Sequence, residues 1–135
     1  FNIDFTNFVL EITERTNIVD LHKFNEQLEL FKRCKFTIAI DDAGSGYASL
    51  YYIAEIKPDI VKLDISLIKN IHKNAQRRDI VKALVNFANE HSIKVLAEGV
   101  ETVEELNEIK KIGVRYAQGF YFGKPSRDLL EKVNN

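Results

Sequence analysis

The sequence predicts an α/β fold of TIM-barrel-like (β/α)8 type, present as a partial barrel of about five β-α units. Three observations predict it. Short β-branched and apolar runs alternate with amphipathic helical patterns, which implies parallel strands joined by crossover helices. No GxGxxG or Walker pattern follows the first run, so a doubly wound nucleotide-binding fold is the weaker reading. Ionisable residues gather at the carboxyl ends of the runs, where parallel α/β folds build their sites.

"NFVLEIT" (7–13) reads as a buried first strand. Leu21, Phe24, Leu28 and Phe31 then recur at helical spacing and mark one apolar stripe, with Thr16, Asn17 and Asp20 as candidate caps. "FTIAI" (36–40) is nearly all apolar, as a strand covered on both faces would be. "YASLYYIAEI" (47–56) predicts a short helix that Pro58 stops. "DIVKLD" (59–64) is the third strand. The longest helix spans Ala75 to His91, with Ile80, Val81, Leu84, Val85 and Ala88 on its inner side. "IKVLAE" (93–98) is the fourth strand. Thr102 and Glu105 form a capping-box pattern before a helix that closes with Lys110, Lys111 and Gly113. "VRYAQGFYF" (114–122) is the fifth strand and its exit, and Ser126 caps a final helix to Val133.

The 135 residues suffice for one domain with a real core. A formal net charge of −1, with basic residues scattered over helical segments, gives no polybasic footprint. Neither a nucleic-acid polymer nor a membrane surface is therefore an expected partner, and no apolar run approaches the roughly 20 residues of a membrane span. The single cysteine, Cys34, excludes an internal disulfide framework and predicts a reducing, cytoplasmic compartment. It sits where a helix should end, as a small structural residue does. The chain lacks methionine and starts at Phe1, which predicts a piece of something longer. A typical barrel needs roughly 250 residues, so about three units are expected before Phe1.

The polar residues carry the functional argument. Glu11 lies inside the first strand and Glu14 just past it; Asp41 and Asp42 end the second. Lys62 and Asp64, two residues apart, share a face of the third. Glu98 ends the fourth, followed by Glu101, and Gln118 ends the fifth. Any one of these acids could be a helix cap or a solvated charge, but the set is in register. Converging carboxylates need cations or protonation, and hard oxygen ligands with no cysteine nearby point to Mg²⁺ or Mn²⁺. His22, His72 and His91 fall on helices or helix ends, which argues against a His-rich zinc site. A metal–carboxylate cluster with a buried lysine suits phosphoryl chemistry. Lys62 is then an electrostatic clamp or a partner of the attacking water; the alternative is an ion pair with Asp64. Gly44 and Gly46 follow the acid pair, where glycine lets backbone turn tightly and approach a ligand.

In order and spacing, "EITE" (11–14), "DDAGSGYASL" (41–50), "PDIVKLD" (58–64), "AEGVET" (97–102) and "QGFYFGKP" (118–125) resemble the motifs of the EAL domain family. That family comprises bacterial phosphodiesterases that cut cyclic-di-GMP to the linear dinucleotide pGpG. The resemblance covers essentially the whole chain and matches the carboxyl-terminal part of one such domain. It implies that Glu11 and Asp41 ligate a first divalent metal, that Asp41 also reaches a second, and that Asp42 serves the second. It further implies that Lys62 contacts the attacking water or the metal network and that Glu98 is the general base or an essential acid. Glu101 and Gln118 would line the site, while Glu14 would steady the loop carrying Asp41 and Asp42. That loop also lies near the family's usual dimer surface. The Glu-Ala-Leu signature and an asparagine ligand are absent and would precede Phe1. Ala43 stands where the family pattern has phenylalanine, and Ser45 where it has threonine.

Three readings follow. The first is a metal-dependent cyclic-di-GMP phosphodiesterase, of which this segment alone is inactive. The second, motivated by Ala43, is a degenerate EAL domain that binds the dinucleotide or a protein partner without cutting. The third is an unrelated metal-dependent barrel enzyme acting on a small acid. A first strand with an open edge also predicts pairing with another copy or with preceding polypeptide, and the Asp41–Leu50 loop is the second candidate dimer contact.

Overall fold

In a computed structural model that describes residues 4–13, 20–44 and 50–126, the β-branched runs become five strands. They are β1 (Val9–Thr13), β2 (Thr37–Ala43), β3 (Ile60–Leu63), β4 (Lys94–Ala97) and β5 (Tyr116–Ala117). The helices are α1 (Leu21–Arg33), α2 (Leu50–Ile56), α3 (Ile65–Ile68), α4 (Ala75–Glu90) and α5 (Val103–Ile112). The strands form one sheet in the order β1-β2-β3-β4-β5, every neighbouring pair parallel. Sequential order without a reversal is the arc of a barrel; a doubly wound sheet reverses direction at a switch point. The expected partial α/β barrel is therefore what forms.

Register sorts the side chains. Residues paired across parallel strands share a face, and neighbours along a strand alternate. Glu11 pairs with Ala39, Ala39 with Ile60, and Lys62 with Leu96, so Glu11, Asp41, Lys62 and Glu98 belong to one face. The other face carries Ile12, Ile38, Ile40, Val61, Leu63, Val95 and Ala97. These join Leu28, Ile53, Ile56, Val81, Val85 and Ile109 from the helices in one core.

Local chemistry sets the boundaries. The first strand starts at Val9, two residues later than expected, because Asp4 accepts from Thr6 N and winds Phe5–Asn7 into a 3₁₀ turn. Asp20 caps α1 by accepting from Lys23 N, and exposed Cys34 ends it. Lys57 takes a left-handed conformation beyond α2, and Pro58 forbids continuation. Thr102 and Glu105 form the expected capping box, and Gly113 closes α5 at φ 102°. Ile80, expected on the inner side of α4, is exposed, while Val81, Val85 and Ala88 are buried. The fifth strand, expected to reach Gln118, is two residues long. Past Ala117 the ladder gives way to Val100 N–H donating to Gln118 O and Tyr121 N–H to Val100 O. Two elements differ in kind: β2 runs on through both acids to Ala43, and α3 follows β3 immediately. The final helix expected after Ser126 lies outside the described residues. No described helix is long and apolar enough to cross a membrane.

Candidate functional site

Two adjacent acids on a regular strand would point to opposite faces. Here they do not, because β2 carries a bulge. Ile40 pairs with Val61 and Ala43 with Leu63, so Asp41 and Asp42 together oppose the single residue Lys62. Asp42 absorbs the extra residue in a left-handed conformation, φ 59°, which aspartate tolerates better than most side chains. Its carboxylate is thereby turned to the same mouth as that of Asp41. One carboxylate oxygen each from Asp41, Asp42 and Glu98 lie within 4.8 Å of one another.

Lys62 sits at the centre. Its Nζ lies 2.8 Å from Asp41 Oδ1, 2.9 Å from Glu98 Oε1 and 3.1 Å from Glu11 Oε1, with its side chain 13 % exposed. Burial opposes the ammonium charge, but hydrogen bonds to Asp41, Glu98 and Glu11 outweigh it and hold Lys62 above the ordinary lysine range. Burial pushes the Glu98 carboxyl up; Lys62 pulls it back, and Asp41 and Asp42 add to the rise. Gln118 Nε2 donates to Glu98 Oε1 at 2.6 Å and fixes that carboxylate. The backbone pins these ends: Asp64 N–H donates to Ala43 O, Glu98 N–H to Leu63 O and Gln118 N–H to Ala97 O.

Asp41, Asp42, Glu98, Lys62, Glu11 and Gln118 are thus brought together. Glu11 approaches through Lys62 and stands outside the tight three-acid group, which Glu98 joins. Asp64 has left the strand: at φ −58° it caps α3, accepting from Ser66 N at 2.8 Å, and the ion-pair partners of Lys62 are the three acids above. Glu101 faces Lys69 at 3.7 Å. Gly44, at φ 99°, has no room for a side chain because a Cβ there would overlap Leu67 Cδ1, so its neighbour is protein. Glu14 and Gly46 lie outside the described residues. The three histidines sit on α1, in the 3₁₀ turn Ile71–Lys73 and at the end of α4.

Beside the acids opens a cleft of about 610 Å³, lined in part by Glu101, Gln118, Gly119, Phe120 and Lys124. Phe120 is exposed, and Lys124 Nζ lies 5.9 Å from its ring centroid. Neither residue stands out in the sequence; within "QGFYFGKP" the available signal is an aromatic followed by a cation just past a strand end. Asp41, Asp42 and Glu98 present three oxygens with no sulfur or nitrogen donor, a set that suits a hard divalent cation.

Residues 2–125 match the EAL domain family. Cyclic di-GMP phosphodiesterase PdeB of Shewanella oneidensis is 38 % identical over 125 residues, covering 93 % of this chain and 15 % of that protein. A standalone EAL protein of Vibrio cholerae O395, solved bound to c-di-GMP, superposes with a TM-score of 0.87 at 38 % identity, covering 96 % of this chain and 55 % of that one. Klebsiella pneumoniae BlrP1, solved as a manganese/cyclic-diGMP complex, gives 0.86 at 33 % identity, covering 91 % of this chain and 31 % of that one. The chain therefore spans well under two thirds of the relatives it matches.

Proposed function

The chain belongs to the EAL domain family, and from that premise we propose that it supplies the acidic mouth of a phosphodiesterase that hydrolyses cyclic-di-GMP to pGpG. The observation that carries the proposal is the convergence of Asp41, Asp42 and Glu98 on one mouth, with the Lys62 ammonium held between Asp41 and Glu98. Divalent cations of the Mg²⁺ or Mn²⁺ class, held by Asp41 and Asp42 with Glu98 or Glu11, would supply charge that lowers the pKa of water and neutralises the phosphate. Glu98, raised by burial, is a better proton acceptor than a solvated glutamate and lies where it can take the proton of an attacking water. Lys62 holds Glu98 and Asp41 in place and offers positive charge to the phosphoryl oxygens. Water oxygen adds to phosphorus, the P–O3′ bond breaks and the 3′ oxygen takes up a proton, leaving a 5′-phosphate on the linear product. Phe120 offers a face for a guanine, and Lys124 a charge for a phosphate. Glu101 and Gln118 border the same cleft.

Because the chain matches 55 % of the Vibrio protein, we assign turnover to the domain as a whole and expect the 135-residue segment alone to be inactive. The test is incubation of the intact protein with cyclic-di-GMP and Mg²⁺. Accumulation of pGpG supports the reading. Tight binding without turnover, in a folded protein, would sink it in favour of a receptor. Ala43, fully buried where the family pattern has phenylalanine, is the observation that favours that second reading. On assembly, β1 pairs only with β2 among the described residues, which supports pairing at its free edge; a monomer by light scattering would count against it.

A further inference from the structure

Asp41 and Asp42 stand on β2 and Glu98 just past β4, with β3 between them. Neighbouring ladders fix each strand, but the loops that extend past the strand ends need their own spacer. The short helix α3 lies between them. Leu67 presses on Gly44, the residue after the Asp41–Ala43 segment, so closely that a Cβ there would overlap Leu67 Cδ1. Ile65 presses on Gly99, the residue after Glu98, where a Cβ would overlap Ile65 Cδ1 and Cγ1. Both glycines have positive φ, 99° and 66°, so each loop is tailored to the side chain it meets.

The ends of α3 are anchored to the same two loops. At its start, Asp64 N–H donates to Ala43 O, and Asp64 Oδ1 accepts from Ser66 N. Past its end, Lys69 faces Glu101, and Asn70 N–H donates to Glu105 Oε1 at 2.8 Å. The other oxygen of Glu105 accepts from Glu101 N at 3.0 Å and Thr102 N at 3.1 Å. A capping box needs only the last of these bonds. The remainder tie the β3–α3 segment to the loop that carries Glu98.

We propose that α3 is a wedge whose Ile65 and Leu67 set the span between the Asp41–Asp42 carboxylates and Glu98, making both positioning residues for the cation site. The inference rests on the proposed function insofar as that site binds a divalent cation. Ile65 is 40 % exposed, so its truncation spares the core; Leu67 is buried, so its truncation does not.

The test is Mn²⁺ affinity of the intact protein, measured calorimetrically without substrate. Ile65→Ala and Leu67→Ala should each weaken Mn²⁺ binding by about ten-fold, the scale on which outer-shell supports act. Ile65→Val, which retains the branch against Gly99, should stay within about two-fold. Ile109→Ala, an equally drastic core truncation on α5, should leave affinity within about two-fold although it lowers the melting temperature. Unchanged affinity in Ile65→Ala, or equal losses in Ile65→Ala and Ile109→Ala, would overturn the wedge and leave the phosphodiesterase reading standing. A wild-type protein that binds Mn²⁺ normally yet fails to cut cyclic-di-GMP would do the reverse. Failure of the wild type to bind Mn²⁺ would remove both.

Discussion

Replacing Glu105 tests whether a buried charge holds two segments of the mouth together. Glu105 is 3 % exposed, the one charged residue among the described residues that is buried. Its two oxygens receive three backbone N–H groups, from Asn70, Glu101 and Thr102. A hydrogen bond to a charged group contributes about 1.5–3 kcal/mol, but the donor residues lie near the surface, where water can partly replace the lost acceptor. About 1 kcal/mol per donor is therefore the better figure, and Glu105→Ala should cost about 3 kcal/mol. Glu105→Gln keeps one acceptor oxygen and turns an amide donor toward an N–H; it should cost about 2 kcal/mol. The pH dependence has a definite sign. Burial works against the carboxylate, but the bonds from Asn70, Glu101 and Thr102 outweigh it and hold the carboxyl below its ordinary value of 4.5. The wild-type advantage over Glu105→Gln is thus fully present above the unfolded value and lost as pH falls through the lower folded value. Urea unfolding of the intact protein at neutral pH and under acid conditions reads both quantities. A Gln variant within about 0.5 kcal/mol of wild type at neutral pH, or a gap that widens on acidification, would show that the Glu105 carboxylate does not hold these segments together.

Three further perturbations probe the same mouth. Lys62→Met leaves Asp41, Glu98 and Glu11 facing one another; breaking a buried pair costs about 3–5 kcal/mol, and partial solvent access reduces this to about 2. Thermal melts with and without Mn²⁺ should show the loss recovered by the cation. Asp42→Ala should be about 1 kcal/mol less stable than Asp42→Gly by chemical denaturation, since φ 59° penalises a Cβ lacking a polar tip. Ala43→Phe inserts a ring at a 0 % exposed position paired with Leu63 and should destabilise by about 1–3 kcal/mol in the same assay.

The β-α alternation and the acids at the strand ends were legible because both follow from local patterning: apolar runs of strand length, helical stripes, and Thr102 three residues before Glu105. The features that aim the side chains were not. The bulge falls on Asp42, which carries no glycine to announce its left-handed backbone, so nothing in the sequence shows that both acids turn to one mouth. The helix α3 hid because "ISLI" extends the apolar run of β3 without punctuation, and Asp64 consequently passed for a strand residue facing Lys62 instead of a cap. Glu105 was visible as half of a capping box, but its bond from Asn70, 35 residues earlier, is non-local and leaves no trace in spacing. Gly44 suggested a ligand and received Leu67.

Mn²⁺ titration of the intact protein against single substitutions shows whether Asp41, Asp42 and Glu98 act as one cation-binding group. Asp41→Asn, Asp42→Asn and Glu98→Gln should each weaken binding by at least about ten-fold while the fold persists. Mn²⁺ binding that is unaffected by any of the three would show that the cation goes elsewhere and that these carboxylates do not form its site.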